Sequence, residues 1–173
     1  IKIWDFDNNT PVQTLSQHTN RAIAVAFDPH GTILASGGMA CQILLSNIES
    51  GELCHILTGH EGWILSLAYS PDGKWLFSGA SDHTIKVWSM ETGLCIDTFT
   101  GHQSWVWSVA VSNCGRFLAS ASEDETIRIW DLADGNSLST RRACRPYEGM
   151  KITSVDGLTK AQINDLKTLG AQE

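Results

Sequence analysis

The sequence predicts an all-β chain of repeated four-stranded sheets, and three observations support this fold class. Residue patterns recur every 42 positions, as Gly59-His60 does at Gly101-His102 and as residues 84–88 do at 126–130. Each period contains four runs of roughly 5–6 residues rich in apolar and β-branched side chains, bounded by Gly, Pro and Asp. The hydrophobic fraction of 42% is enough for a core. A four-stranded period of ~40–45 residues is typical of a β-propeller blade.

The repeat at 59–100 shows the predicted elements in order. Its first strand is the apolar run 64–69, which ends at the turn Ser70-Pro71-Asp72-Gly73. The second strand covers 75–79 and is followed by a turn at 80–83. The third strand, 84–89, alternates between two faces, and the turn 90–93 leads into the fourth strand at 94–99.

The whole chain then divides into about three and a half blades and a tail. We predict a partial blade (third and fourth strands) at 1–16, a degenerate blade at 17–58, regular blades at 59–100 and 101–140, and a tail at 141–173 with a short helix at about 160–169. A closed propeller has ~4–8 blades, and an incomplete one leaves open sheet edges. We therefore expect the C-terminal part of a longer propeller protein, with self-association of this fragment as the alternative.

Fixed motifs mark the repeats. Residues 59–100 contain Gly59-His60, the Ser-Pro-Asp-Gly turn at 70–73 and Trp88-Ser89, and the next repeat contains Gly101-His102 and Trp130-Asp131. These motifs resemble the WD40 repeat family from residue 1 to about 135. The resemblance implies a propeller that serves as a non-enzymatic platform for protein partners. It also implies ring closure by an outer strand from upstream, and segment 136–141, with Leu138 as its single large apolar residue, predicts a poor outer strand.

Four positions keep a fixed spacing in each regular repeat: His60, Ser78, Asp82 and Trp88 in one, and His102, Ser120, Asp124 and Trp130 in the next. The resemblance implies that each set is a buried structural hydrogen-bond chain from Trp through Ser and His to Asp. Such a network would satisfy the indole, the imidazole and the carboxylate together. The competing interpretation is a nucleophile–base–orienter triad. We favour the structural role, because the constellation recurs in each intact repeat, and we expect His83 to be a turn residue.

The blade at 17–58 departs from this pattern. It keeps His18 and Ser36, but Ala40 and Ser46 stand at the Asp and Trp positions. Drift in a repeat array is one interpretation, and adaptation for binding is the other. We expect this blade to be the softest unless its apolar run 43–45 compensates.

The resemblance places partner binding on the face where the turns beside each Asp meet the His-containing loops. The candidate positions on that face are Arg21, Met39, Trp63, Ser81, Trp105, Trp107 and Glu123. Trp and Arg are frequent anchors of protein interfaces. Trp63 and Trp105 recur once per blade, so packing between blades explains them equally well. Trp107 replaces Leu65 and is less determined by the repeat.

We therefore predict a non-catalytic protein–protein interaction scaffold or sensor module within a larger multidomain WD-repeat signalling or regulatory protein. The alternative is an enzyme or a ligand site at a central channel completed by the missing blades. The sequence contains no H-E-x-x-H, G-x-S-x-G, P-loop or C-x-x-C motif. We accordingly expect no catalytic residue, no metal and no cofactor.

Charge and composition limit which classes of partner and which cellular compartment we expect for this chain. Residues 1–135 hold 6 Lys and Arg against 15 Asp and Glu, and residues 136–173 hold 6 against 4. The acidic part argues against nucleic acid, which requires clustered Lys and Arg. With no apolar run of about 18 residues and no signal peptide, we expect no membrane segment and a cytoplasmic location. The scattered cysteines predict reduced thiols, some of them in the core: Cys41, Cys54, Cys95, Cys114 and Cys144.

The tail predicts a capped helix. Thr159 is the expected N-cap with Gln162 as its capping-box partner, Leu158 is expected to staple to Ile163, and Gly170 to be the C-cap. The tail from residue 145 to 170 resembles, more loosely, the tails of bacterial and especially cyanobacterial WD-repeat proteins, which are often fused to NTPase or kinase domains. Packing on a blade and docking to a partner are the two alternatives for the helix.

Overall fold

The computed structural model describes residues 1–142, 148, 150–151 and 159–172. The chain divides into two compact units, Ile1–Arg141 and Arg142–Glu173. The all-β prediction is confirmed, because the first unit consists of three four-stranded sheets and one two-stranded sheet, and one short helix lies in the tail. Cys144, the predicted staple residue Leu158, and residues 145–147 and 149 of the tail motif lie outside the described residues.

Strands follow one another in chain order within each sheet. The two-stranded sheet pairs β1 (Lys2–Asp5) with β2 (Thr10–Thr14). The next sheet contains β3 (Ala22–Phe27), β4 (Ile33–Gly38), β5 (Gln42–Asn47) and β6 (Leu53–Thr58). The central sheet contains β7 (Ile64–Tyr69), β8 (Trp75–Ala80), β9 (Ile85–Ser89) and β10 (Cys95–Phe99). The last contains β11 (Val106–Val111), β12 (Phe117–Ser122), β13 (Thr126–Asp131) and β14 (Ser137–Arg142).

The outer strand of the last blade forms, so the expectation of a poor strand there was wrong. β14 lies beside β13, and the turn before it is closed by a hydrogen bond from the Asp131 N–H to the Asn136 carbonyl oxygen at 3.0 Å. Leu138 remains exposed. An edge strand is held by backbone hydrogen bonds to its neighbour, so it forms here without a buried apolar face.

The core consists of two layers, each formed between neighbouring sheets. In the first layer Leu45 and Leu57 pack with Leu67 and Trp88, and in the second Phe77 and Val87 pack with Val109 and Leu118. Small residues allow the close approach. A Cβ on Gly37 would lie 2.5 Å from a side-chain carbon of Ile64, and one on Gly79 would lie 2.8 Å from Val106.

A β-bulge interrupts the first strand of every complete blade at the same repeat position. The register shifts between Ala22 and Ala24, between Ile64 and Ser66, and between Val106 and Ser108. The extra residues are therefore Ile23, Leu65 and Trp107. Because a bulge redirects the side chain of its extra residue, this position is free of the regular alternation of the strand.

The turn between the second and third strands also has a constant backbone. Cys41, His83 and Glu125 each have a positive φ, of 59°, 69° and 66°. His83 is therefore a left-handed turn residue on the exposed surface. The expectation of core cysteines was wrong for the described thiols, since Cys54, Cys95 and Cys114 are exposed and Cys41 is half-buried.

The tail helix, α1, spans Lys160–Thr168. Thr159 caps it, and the reciprocal bonds between Thr159 and Gln162 form a complete capping box. The C-cap is Leu169, one residue before the expected Gly170, which follows with φ 106°. Among the described residues, no helix is both long and apolar enough to cross a membrane.

Candidate functional site

The first predicted residue set forms a continuous hydrogen-bond chain in the central blade. The indole N–H of Trp88 donates to Ser78 Oγ at 2.8 Å, and Ser78 Oγ lies 2.7 Å from His60 Nε2. His60 Nδ1 lies 2.7 Å from Asp82 Oδ2. Trp88, Ser78 and His60 are all buried. The chain therefore ties β8, β9, the turn between them and the loop before β7 into one polar unit.

The second set repeats this geometry in the last blade. Trp130 donates to Ser120 Oγ at 2.9 Å, Ser120 Oγ lies 2.7 Å from His102 Nε2, and His102 Nδ1 lies 2.8 Å from Asp124 Oδ2. The agreement between two blades 42 residues apart shows that the same repeat positions build the same contacts.

Two threonines complete the networks, and the sequence analysis missed them. Thr84 donates from its N–H at 3.0 Å and from its hydroxyl at 2.7 Å to Asp82 Oδ1. Thr126 makes the same two bonds to Asp124 Oδ1. The available signal was the Asp-x-Thr pattern, which recurs at the period of the repeat.

The hydrogen bonds also determine the ionisation of the two aspartates. Burial favours the neutral form of Asp82, but the bonds with His60 and Thr84 outweigh it and hold the pKa of the carboxyl well below its usual value of 3.8. For Asp124, burial is likewise outweighed, by bonds from Thr126, the Gln103 N–H and His102, and the pKa is again well below 3.8. Both groups are therefore carboxylates at neutral pH and accept all the donors that face them.

The Ser78–His60–Asp82 distances match those of a catalytic triad, but the environment of the serine does not fit a nucleophile. Ser78 is fully buried, and its oxygen already accepts the Trp88 N–H. A substrate carbonyl would have to reach an oxygen that has neither access nor a free direction of attack. Within the described ranges, no group of three or more His, Cys, Asp or Glu residues is placed to hold a metal ion.

The degenerate blade contains half of the network. His18 Nε2 lies 2.8 Å from Ser36 Oγ, as in the other blades. With no indole to donate to it, Ser36 Oγ contacts the Leu44 carbonyl oxygen at 3.5 Å. Ser46 occupies the Trp position and is buried, and its hydroxyl has no hydrogen-bond partner among the described residues. Ile43, Leu44 and Leu45 of the apolar run are all buried. That they compensate for the missing half of the network stays a prediction.

Replacing Ser46 with Ala is expected to raise the free energy of unfolding by about 1 kcal/mol, because the buried hydroxyl lost its bonds to water on folding and gained none. Urea unfolding of the two proteins measures the difference. The matched control is Ser36→Ala, which removes a bonded hydroxyl of the same blade and should be destabilising. A loss of stability in Ser46→Ala would show that this hydroxyl has a partner in solution.

The candidate face lies at the edge where first strands begin and second strands end. Trp63 and Trp105 directly precede β7 and β11, and Ser81 and Glu123 directly follow β8 and β12. The N–H of Ser81 donates to the Trp63 carbonyl oxygen and that of Glu123 to the Trp105 carbonyl oxygen, both at 2.9 Å. In the degenerate blade, the N–H of Met39 donates to the carbonyl oxygen of Arg21 at 3.0 Å. Six of the seven predicted positions therefore occupy equivalent places in three blades, and the seventh, Trp107, lies at the adjacent bulge.

Three tryptophans lie at this edge, and we call Trp63, Trp105 and Trp107 the tryptophan edge. The central ring, Trp105, contacts both of the others. The Trp63 and Trp105 ring centroids are 5.9 Å apart at 55°, and those of Trp105 and Trp107 are 5.4 Å apart at 60°. Trp107 is 48% exposed and Trp63 is 38% exposed. Large aromatic side chains are thus held in fixed positions by neighbours while part of each remains open to solvent.

Antiparallel four-stranded blades, packed through apolar layers, with a complete buried polar network in the two regular ones, define a β-propeller array. A family model described as "WD domain, G-beta repeat" matches residues 9–45, 51–89 and 93–131. The chain belongs to the WD40 family, whose members are in general non-catalytic interaction scaffolds. Each match begins near the outer strand of one blade and ends in the third strand of the next, so one sequence repeat spans two blades.

Known proteins that are similar to this chain include the following two. The solved structure of U3-55K has a TM-score of 0.73 and 27% sequence identity, covering 76% of this chain and 42% of that chain. The meiotic recombination protein rec14 of Schizosaccharomyces pombe is 28% identical over 60 residues, which are 35% of this chain and 20% of that protein. The chain therefore spans less than half of the solved structure that it matches, and the match to rec14 covers a fifth of that protein.

Proposed function

We propose that this chain is a protein–protein interaction module that binds its partner through the tryptophan edge. The observation that carries the proposal is the exposure of Trp63 and Trp107 at one edge of the blades, where both contact the half-buried Trp105. Trp is enriched among the residues that dominate binding energy, and pre-positioned rings lose little conformational freedom on binding. The buried networks supply the rigid support, because they hold the loops on which Trp63 and Trp105 stand.

Site-specific photocrosslinking tests this proposal. A benzophenone side chain is placed at Trp107 in one variant and at Trp75 in the other. Trp75 is a suitable control, because its exposure of 37% is similar to that of Trp63. It begins β8 and therefore lies at the opposite edge of the same blade. We expect crosslinked adducts between position 107 and the partner protein, and an excess of chain without benzophenone should suppress them. Few adducts should form at position 75. Equal labelling at both positions would contradict a binding site on the tryptophan edge.

We further propose that the chain is part of a larger WD-repeat protein with a regulatory role. Equivalent residues of the repeat support this, because they are buried between blades and uncovered at the two ends of the array. Leu67 and Val109 are 7% and 6% exposed, whereas Val25 is 54% exposed. Ile43 and Ile85 are fully buried, whereas Ile127 is 51% exposed. Blade faces built to be covered point to further blades as the natural neighbours.

The coding sequence upstream of Ile1 tests the larger protein directly. Further 42-residue repeats followed by another domain would support it, and a start codon directly upstream would replace it with self-association of this chain. A cytoplasmic location and a bacterial source belong to the same proposal. They are supported by the absence of an apolar spanning segment in the sequence and by the looser resemblance of the tail.

A further inference from the structure

We propose that the tryptophan edge binds a cationic segment of a partner protein, whose Lys or Arg side chains lie on the indole rings and pair with carboxylates of the same edge. The inference rests on the proposed function and adds the chemistry of the partner. Charge, ring geometry and the position of Trp107 in the repeat each support it.

The loops of this edge are acidic throughout the two regular blades. Residues 59–63, 81–84, 101–105 and 123–126 contain five carboxylates and no Lys or Arg. Asp82 and Asp124 belong to the networks, and Glu61 and Glu123 are exposed carboxylates at this edge. The nearby Arg128 is partly buried and donates to the Gly101 carbonyl oxygen at 2.9 Å. The surface charge of the edge is therefore negative and favours a positively charged partner.

The ring geometry suits a cation. Both Trp–Trp contacts are tilted, at 55° and 60°, so the rings are not stacked on one another. A tilted contact uses the edge of one ring, and the exposed parts of Trp63 and Trp107 remain open to a ligand. Lys and Arg bind an indole face within about 6 Å of the ring centroid, and Trp is the strongest of the aromatic partners. Glu123, whose Oε2 accepts a hydrogen bond from Ser104 at 3.1 Å, lies directly after β12 at the same edge.

The repeat does not require a tryptophan at position 107. Trp107 occupies the bulge position, where the preceding blades have Ile23 and Leu65. Leu65 is 9% exposed, so an aliphatic side chain fills this position in the neighbouring blade. The larger indole reaches both Trp105 and solvent, and a bulge is a place where a side chain is directed toward a function.

Other occupants fit less well. An apolar peptide would cover Glu61 and Glu123 and remove the carboxylates from water without a counter-charge. A nucleic acid would bring its phosphates against the acidic loops. A cationic segment can contact the indole rings and pair with the carboxylates at the same time.

The test uses the 173-residue chain and two fluorescent dodecapeptides, one alternating Arg and Lys with Gly and Ser, and the other with Glu at each charged position. Fluorescence anisotropy at about 0.15 M salt measures their affinities, since long-range charge effects are screened there. We expect binding of the cationic peptide only. Trp107→Leu should weaken it by about 3- to 30-fold, the range of a cation–π contact.

Glu123→Ser should also weaken binding and should reduce its dependence on salt. The chain itself supplies both replacements, because Leu and Ser occupy these positions in the central blade. The matched controls are Trp75→Leu and Glu91→Gln, which alter an exposed indole and an exposed carboxylate at the opposite edge and should leave the affinity unchanged. Circular dichroism checks that each variant is folded.

Equal affinities for the two peptides, no binding of the cationic one, or no effect of Trp107→Leu and Glu123→Ser would overturn the inference. The photocrosslinking experiment separates this failure from that of the scaffold proposal. Suppose that the adducts at position 107 are suppressed by excess unlabelled chain, but that the crosslinked segments of the partner contain no Lys or Arg. This result would support a binding site on the tryptophan edge and refute its preference for cations. Loss of both the adducts and the peptide binding would refute both proposals.

Discussion

Replacing Asp82 with Asn is expected to lower the free energy of unfolding by about 2–4 kcal/mol. The carboxylate accepts from His60 Nδ1, the Glu61 N–H, and the N–H and hydroxyl of Thr84. An amide has one acceptor oxygen, so its NH2 group must face donors on one side whichever way it is turned. Urea unfolding followed by tryptophan fluorescence measures the loss.

The same substitution should flatten the dependence of stability on acid. The pKa of Asp82 lies below 3.8 in the folded protein, so its contribution to stability is fully present above the pKa of the unfolded chain. That contribution is lost as the pH falls from about 5 toward the folded-state pKa. Unfolding curves of the wild type between pH 7 and 3 should show this decline, and Asp82→Asn should show a smaller one.

Asp7→Asn is the matched control, because Asp7 is an exposed residue of the turn between β1 and β2. Its replacement should change stability by less than about 0.5 kcal/mol. A melting temperature of Asp82→Asn equal to that of the wild type would show that the network does not stabilise the blade. If an activity disappeared at the same time, the buried serine, histidine and aspartate would have to be reconsidered as a reactive set.

The period of the sequence was sufficient to predict the strands, because turn residues and apolar runs recur together. It also named the polar positions that meet in each blade. It missed Thr84 and Thr126, although Asp-x-Thr recurs as regularly as the rest. Indole, imidazole and carboxylate groups were predicted to need partners when buried, and a turn threonine that donates twice to the aspartate does not follow from that requirement.

Exposure at the ends of the array could not be predicted from the repeat. Val25 and Leu67 occupy the same repeat position, yet one is open and the other is covered by a neighbouring blade. The sequence period predicts which residue type occupies a position, whereas the burial of that residue depends on whether a neighbouring sheet covers it. In β14 the sequence pattern underestimated the structure. Its side chains are mostly polar, but the segment still forms a strand because it pairs with the backbone of β13.

The tryptophan edge was predicted only as a set of positions. Alternation along β11 does not place the side chain of Trp107, since the bulge interrupts the register at that residue. The contact between Trp105 and Trp107 depends on this local distortion. Sequence alone therefore identified the residues of the candidate face but not that three of them touch.

Replacing Trp88 with Phe is expected to destabilise the protein by about 2–4 kcal/mol. The change removes the indole N–H that donates to Ser78 and leaves the buried serine oxygen with one bond fewer, which costs about 1–3 kcal/mol. The smaller ring also leaves a void in the layer between the first two complete blades, which adds about 1 kcal/mol. Chemical unfolding of the purified variants measures the loss.

Trp4→Phe is the matched control for this prediction, because Trp4 occupies the same repeat position in the partial blade. Trp4 is 55% exposed, whereas Trp88 is 1% exposed. The same chemical change at Trp4 should therefore cost less than about 0.5 kcal/mol. Equal losses at both positions would mean that tryptophan stabilises these blades through its position in the strand and not through the network.

The double variant Trp88→Phe, Ser78→Ala separates the hydrogen bond from the void. If the bond is the main term, the double variant should lose less stability than the sum of the two single variants, because Ala leaves no unpaired oxygen behind. If the void is the main term, the losses should add, since removing the serine oxygen does not fill the space. The degenerate blade already tolerates Ser46 at the tryptophan position, with Leu44 and Leu45 buried beside it. A coupling close to zero in the double variant would therefore show that apolar packing, more than the polar chain, is what the tryptophan supplies to a blade.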